Sequence, residues 1–225
     1  MVKLCIFDMD GLLLDSEREV YLKTGVEVSE AIGHPLSYEF LTGIMGSGWD
    51  LYEGSVKRMH GEDYPFEEYW SIFWPKVQDK LHNMAIPLMP GTREILDYCR
   101  DNGIRMAVAT SSHREVTECC LKNDGIYDYF DFLMTGDMVV NSKPHPEIYI
   151  RTMEQFADID RNEILVIEDG HNGAQSARNA GCRYALVEDL AYLSDEDKAG
   201  AALCTDSLLK VIDYLKEENE GTAGV

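Results

Sequence analysis

A three-layer α/β fold around a parallel sheet is predicted by three features of the 225-residue sequence. Short apolar runs alternate with segments of helical period, the order that right-handed βαβ units impose. The runs open on continuous apolar residues, as expected of strands covered on both faces. Several of them end in polar residues, at the sheet edge where parallel α/β folds collect ligands.

The first run, LCIF (4–7), leads straight into Asp8, Met9, Asp10 and Gly11. Two carboxylates so close repel each other, and loss of water makes each harder to ionise. Their placement therefore asks for a chemical reason. Residues 16–85 follow with helical period and many Tyr, Trp and Phe. Trp70, Ile72, Phe73, Trp74 and Val77 fall at helical spacings, the stripe of a packed helix face.

From residue 86 the pattern changes. MPGTREILDYCRDNG has a Gly-Thr start, Ile95, Leu96 and Cys99 at helical spacing, and an Asn-Gly stop. IRMAVAT (104–110) reads as a strand, EVTECCLKNDG as a helix closed by Gly, and YFDFLMT (129–135) as a further strand. HPEIYIRTMEQFA is helical, with Tyr149, Met153 and Phe156 on one face. EILVIED (163–169) is a strand, GAQSARNAG a helix of small residues, RYALV (183–187) a strand and DSLLKVIDYLKEENE the closing helix. The expected organisation is a Rossmann-like core of residues 1–15 and 86–216, an α-helical cap domain inserted at 16–85, and a frayed tail at 217–225.

Composition narrows the partners. An apolar share of 45% supports a real core, and the formal net charge of −21 argues against nucleic acid, which needs a basic face. The N-terminal apolar stretch is too short for a secretory or membrane segment, so no membrane association is expected. Six scattered Cys without C-x-x-C spacing point to a reducing, cytoplasmic setting. The sequence does not decide the oligomeric state, and a monomer is favoured. An acidic protein with an anionic substrate must supply local positive charge or a metal.

The strand exits supply both. Asp8 and Asp10 close the first strand, Thr110, Ser111 and Ser112 the second, Glu168 and Asp169 the strand 163–169, and Lys143 lies in the loop SKPHPE before a helix. Singly, each has an ordinary reading: a turn, a helix N-cap, a solvated lysine. Together, hard carboxylate oxygens suit Mg²⁺ beside a phosphate. Lys143 and a Thr110 or Ser111 hydroxyl suit the remaining phosphate oxygens.

In this order, FDMDGLLLDSE, ATSS, SKPHPEIY and VIEDGHNG resemble the four motifs of the haloacid dehalogenase-like hydrolases over essentially the whole chain. The chain looks most like the branch holding beta-phosphoglucomutases and phosphoglycolate phosphatases, whose helical cap follows the first motif. The resemblance implies that Asp8 is a nucleophile forming an aspartyl phosphate and Asp10 a general acid and base. It implies phosphoryl binding by Lys143 and by Thr110 or Ser111 with a neighbouring amide, and Mg²⁺ held by Asp8, Asp169, Glu168 and the Asp10 carbonyl. Ser112, His113 and Arg114 start the helix after the second motif, where anions are favoured. His113 and Arg114 face either solvent or a distal group of the substrate.

Departures bear on the substrate. Where the mutases of this branch carry a His, this chain has Val20, and the cap stretch LTGIMGSGWD (41–50) holds no Lys or Arg for a second phosphate. Gly43 and its neighbours then form a substrate-specificity loop, not a P-loop. The expectation is a Mg²⁺-dependent phosphatase acting on a small phosphorylated metabolite such as a sugar phosphate, with a sugar-phosphate mutase as the alternative and a non-catalytic binding protein as a third reading. Asp10 argues against dehalogenation. Phosphonate cleavage would need a cap lysine, for which Lys23 is the candidate. Metal-dependent glycosyltransferases also use Asp-x-Asp, but inside a nucleotide-binding domain.

Overall fold

The computed structural model describes residues 1–44 and 49–220. Strand β1 (Leu4–Phe7) is followed by a π-helical turn (Glu17–Leu22) that runs into α1 (Lys23–Ala31), then α2 (Tyr38–Ile44), α3 (Trp49–His60) and α4 (Phe66–Asn83). After them come α5 (Thr92–Asp101), β2 (Arg105–Ala109), α6 (Arg114–Asn123), β3 (Phe132–Met134), α7 (Glu147–Glu154), β4 (Ile164–Glu168), α8 (His171–Asn179), β5 (Arg183–Val187), α9 (Asp195–Gly200), β6 (Leu203–Thr205) and α10 (Leu208–Glu220).

The six strands form one parallel sheet in the order β3-β2-β1-β4-β5-β6. The chain starts in the middle and winds outward twice, so the direction of winding reverses beside β1, the position where such sheets open a crevice. Alternation within β1 divides the core. Leu4 and Ile6 face a cluster with Ile148, Tyr149 and Met153 of α7 and Ala174 and Ala177 of α8. Cys5 and Phe7 face the opposite cluster, with Ile95 and Leu96 of α5, Cys120 and Leu121 of α6 and Val211 and Leu215 of α10. All four residues of β1 are buried, which is why the run is apolar without alternation.

The helices between β1 and α5 extend the second cluster through Val28, Leu41, Val56, Tyr69, Phe73, Val77 and Leu81. Their centre is aromatic. The Tyr69 and Phe73 rings stack at 5.3 Å, Trp70 and Trp74 at 5.6 Å, and the Tyr52 and Tyr69 hydroxyls meet at 2.8 Å. The outgoing and returning connectors run side by side. The amide of Asp15 donates to the Pro87 carbonyl at 2.8 Å, and that of Met89 to the Leu13 carbonyl at 2.9 Å.

Three expectations are corrected. The segment 129–135 holds only a three-residue strand, because Tyr127–Tyr129 forms a 3₁₀ turn and Asp131 turns its carboxylate back to the Met106 amide. The closing helix runs to Glu220, as its period predicts, so the tail bound set at 217 falls inside the helix, and 221–225 lie outside the described residues. Residues 41–44 of the expected loop 41–50 end α2 instead, and 45–48 lie outside the described residues. Strand β6 and helix α9 escape sequence reading, being a short, partly exposed edge strand and a six-residue helix defined by a Ser194–Asp197 capping box. No helix among the described residues is long and apolar enough to cross a membrane.

Candidate active site

Four side chains from two strand exits and one loop meet at the carboxyl edge of the sheet. Asp8, one residue past β1, is 8% exposed, Glu168 at the end of β4 is 2% exposed and Asp169 next to it 5%. One oxygen from each can be chosen so that all lie within 4.8 Å of one another. Lys143, on the loop before α7, reaches into this group with a side chain 7% exposed. Its Nζ donates to Asp8 Oδ1 at 2.6 Å, to Glu168 Oε1 at 2.6 Å and to the Ala109 carbonyl at 2.9 Å, and lies 5.1 Å from the centre of the Tyr149 ring. The Tyr149 hydroxyl also donates to Glu168.

Two glycines make the packing possible. A side chain on Gly173 would meet the Glu168 carboxyl at 2.0 Å, so α8 can approach β4 only without one. Gly11 has φ +83° and its missing Cβ would lie 2.5 Å from Asp169 Oδ2.

The charges are unbalanced. Burial raises the Asp8 carboxyl to about 7, with Lys143 pulling it down and Glu168 and Asp10 pushing it up. Burial, then the Asp8, Glu17 and Glu168 charges, drives Asp169 well above the carboxylate range. Burial disfavours the Lys143 ammonium, but Asp8 and Glu168 outweigh it and keep the amine charged. One lysine thus faces three buried carboxyls, a deficit of positive charge that a hard divalent cation would fill.

Asp10 stands apart from the lysine and rests on hydroxyls. Ser16 Oγ donates to Oδ1 at 2.7 Å and Ser112 Oγ to Oδ2 at 2.8 Å, with Thr110 Oγ1 at 3.4 Å from the same oxygen. Thr110 Oγ1 also accepts the Ser112 amide at 3.0 Å.

The remaining candidates are elsewhere. Ser111 is exposed and makes no hydrogen bond with the Asp8 group among those resolved. His113 is exposed at the cap of α6, and Arg114 is engaged on its own helix, with its guanidinium 2.8 Å from Glu118 and its amide on Asp137. Gly43 is exposed within α2, with open space where a side chain would stand. Lys23 pairs with Glu19 on the surface at 2.5 Å, not the desolvated setting a Schiff-base lysine needs. Val20 is buried in the core.

Sequence reading missed Ser16, Glu17, Tyr149 and Gly173. Ser16 and Glu17 are the last two residues of the motif FDMDGLLLDSE and carry no role in it as read from the sequence. Tyr149 was assigned to a core face, although a buried Tyr hydroxyl needs a partner and could have been asked for one. Glu17 has a buried Oε2 without a hydrogen bond, and burial with the Asp10, Asp8 and Asp189 charges raises its carboxyl to about 7. Next to it, Arg18 forms a two-pronged pair with Asp189 at 2.8 and 2.5 Å, tying the π-helical turn to the loop after β5.

Comparison with known proteins identifies the family. The sequence model of the haloacid dehalogenase-like hydrolases matches residues 5–187. The phosphorylated carbohydrates phosphatase of Thermotoga maritima is 31% identical over 191 residues, covering 82% of this chain and 85% of that protein. The phosphoglycolate phosphatase of Nitrosospira multiformis is 28% identical over 192 residues, 83% of each chain. A Thermotoga maritima crystal structure, provisionally named a beta-phosphoglucomutase, matches with a TM-score of 0.77 at 27% identity, covering 96% of this chain and 99% of that one. With its sheet order, its strand-exit carboxylates and a match across most of its length, the chain belongs to the haloacid dehalogenase-like hydrolase family.

Proposed function

We propose that the chain is a Mg²⁺-dependent phosphatase that hydrolyses a small phosphorylated metabolite, of the sugar-phosphate class, through an aspartyl phosphate on Asp8. The observation that carries this reading is the contrast between two carboxylates on one strand exit. Asp8 lies buried against Lys143, and Asp10 is held away from any cation on neutral hydroxyls.

In this reading an Asp8 oxygen attacks phosphorus as the bond to the leaving oxygen breaks, and Asp10 gives that oxygen its proton. Asp10 then takes a proton from the incoming water, whose oxygen bonds to phosphorus as the bond to Asp8 breaks, so that the Asp8 carboxylate is regenerated and inorganic phosphate is released. Lys143 offsets the charge of Asp8 and Glu168 and orients the nucleophile through its three hydrogen bonds. Ser111, at the start of the turn into α6, is the candidate for a phosphate oxygen. Asp8, Glu168, Asp169 and the Asp10 carbonyl would hold Mg²⁺, and the oxygen-only donor set with its excess negative charge fits that ion. Bound there, the ion would neutralise phosphate charge as a Lewis acid.

The helical segment 16–85 serves as a cap that excludes bulk water and reads the leaving group. The reading takes a sugar phosphate as the substrate class. The T. maritima relative named for phosphorylated carbohydrates points the same way. A mutase must hold a second phosphate, and the absence of Lys and Arg in 41–50 together with the buried Val20 favours hydrolysis. Six free cysteines fit a reducing, cytoplasmic setting.

The test is a screen of phosphorylated metabolites with Mg²⁺, following phosphate release. Release that stops on adding EDTA is expected. Conversion of beta-glucose 1-phosphate to glucose 6-phosphate without phosphate release would favour the mutase, and turnover undiminished by EDTA would remove the metal from the reading.

A further inference from the structure

We propose that Ser112 is a positioning residue for Asp10, and that its hydroxyl does not bind the transferred phosphoryl group. The proposal rests on the acid role assigned to Asp10 above.

Ser112 follows the exit of β2 among three hydroxyl residues, a place where hydroxyls invite assignment to phosphate. Its polar groups are committed inside the protein. The hydroxyl donates to Asp10 Oδ2 at 2.8 Å, the amide donates to Thr110 Oγ1 at 3.0 Å, and the carbonyl accepts the Gly136 amide at 2.9 Å. A serine hydroxyl has one proton. Given to Asp10, it leaves only lone pairs, which a phosphate oxygen cannot use.

The bond has a mechanical purpose. Asp10 follows β1 beside a glycine with positive φ and makes no ion pair among the described residues. Its carboxyl is fixed from two sides, by Ser16 on the connector toward the helices and by Ser112 on the turn after β2, one hydroxyl on each oxygen. Removing the Ser112 contact leaves Oδ2 with only the long Thr110 contact at 3.4 Å and frees the carboxyl to turn about its own bond. An acid must lie within hydrogen-bond reach of the oxygen it protonates, so a loosened Asp10 protonates less well.

The experiment uses two substrates that differ in their need for an acid. An alkyl phosphate from the screen leaves as an alkoxide and needs the proton. p-Nitrophenyl phosphate leaves as a stable phenolate and does not. For each, kcat/KM reports only the steps through formation of the aspartyl phosphate, so Asp10's later work as a base does not enter. S112A is expected to lower kcat/KM for the alkyl phosphate about tenfold, the scale of one lost hydrogen bond, and for p-nitrophenyl phosphate by less than about twofold. S112T, which restores a hydroxyl, is expected to recover the alkyl phosphate rate. In a D10N background S112A should have no further effect. Equal loss on both substrates would assign the hydroxyl to the phosphoryl group and overturn the proposal, as would no loss on either. D10N alone tests the underlying reading. Loss that is equal on both substrates removes the acid role itself, whereas a selective loss in D10N with none in S112A removes only the role of Ser112. A thermal melt of each variant confirms that it is folded.

Discussion

The carboxyl edge of the sheet and the helical segment 16–85 are built on opposite terms. At the sheet edge, Asp8, Glu168 and Lys143 are buried and held by short, directed contacts beside the buried Asp169, and two of the carboxyls are pushed far up in pKa. In the helices, Tyr52, Tyr69, Trp70, Phe73 and Trp74 pack ring against ring, while charged pairs such as Lys76–Glu27 and Lys23–Glu19 lie exposed. The sheet edge concentrates electrostatic cost, and the helices supply apolar burial. Substitutions at the edge should therefore remove turnover, with a loss of stability where a buried charge is left without its partner. Substitutions in the helices should cost stability and leave the bond-breaking step intact.

The sharpest break is D8N. Loss of the nucleophile should reduce kcat by roughly 10⁴-fold or more, while circular dichroism shows a folded protein. Residual turnover near the wild-type level would end the comparison. K143A should come next, with kcat down by on the order of 10²- to 10³-fold, as for loss of one preorganised charge-stabilising donor. It should also lower Tm, because Asp8 and Glu168 then face each other without a cation.

F73A is the counterpart in the helices. Phe73 is 1% exposed and stacked on Tyr69 and Tyr52, so its truncation should cost about 3–5 kcal/mol and lower Tm by roughly 10 °C. Measured well below the new Tm, kcat/KM for p-nitrophenyl phosphate should change by no more than a few-fold. A kcat/KM loss comparable to that of K143A would show that the helices take part in the chemical step.

The smallest effect sits at the junction of the two regions. Glu17 titrates near 4.5 when free and at about 7 in the folded chain. Between those values the folded state keeps a proton that the unfolded chain has released, so stability falls as pH rises through that window and then levels off. Asp124, raised by burial to about 6, acts in the same direction. E17Q should flatten the dependence and raise Tm at pH 7.5 by a few °C in metal-free buffer. Thermal melts between pH 4.5 and 7.5 check this, and an unchanged slope would show that Glu17 is not the proton holder.

Much of the sheet edge was legible in the sequence because strand exits in a parallel sheet share one side, which gathers Asp8 and Asp10 from one stretch and Glu168 and Asp169 from another. Lys143 could be placed near them but not buried among them, since its burial depends on how the ends of β1, β2 and β4 close around its side chain. The three hydroxyls after β2 look interchangeable as letters. Which of Thr110, Ser111 and Ser112 turns to Asp10 is decided by the backbone turn into α6. Ser16 and Glu17 were hidden because a Ser-Glu pair is also the normal opening of a helix. The helical period and aromatic content of the segment after β1 were legible, but residues 41–44 were not read as helix, because a Gly within α2 reads as a break where the chain stays helical.

The central claim is that Asp8 carries the phosphoryl group. Rapid acid quench during turnover of p-nitrophenyl phosphate with Mg²⁺, followed by mass spectrometry of the digested protein, tests it directly. One phosphoryl adduct on the peptide containing Asp8, absent from D8N, is the predicted result. An adduct on a different residue, or turnover with a quantitatively unmodified Asp8 peptide at every quench time, would contradict it.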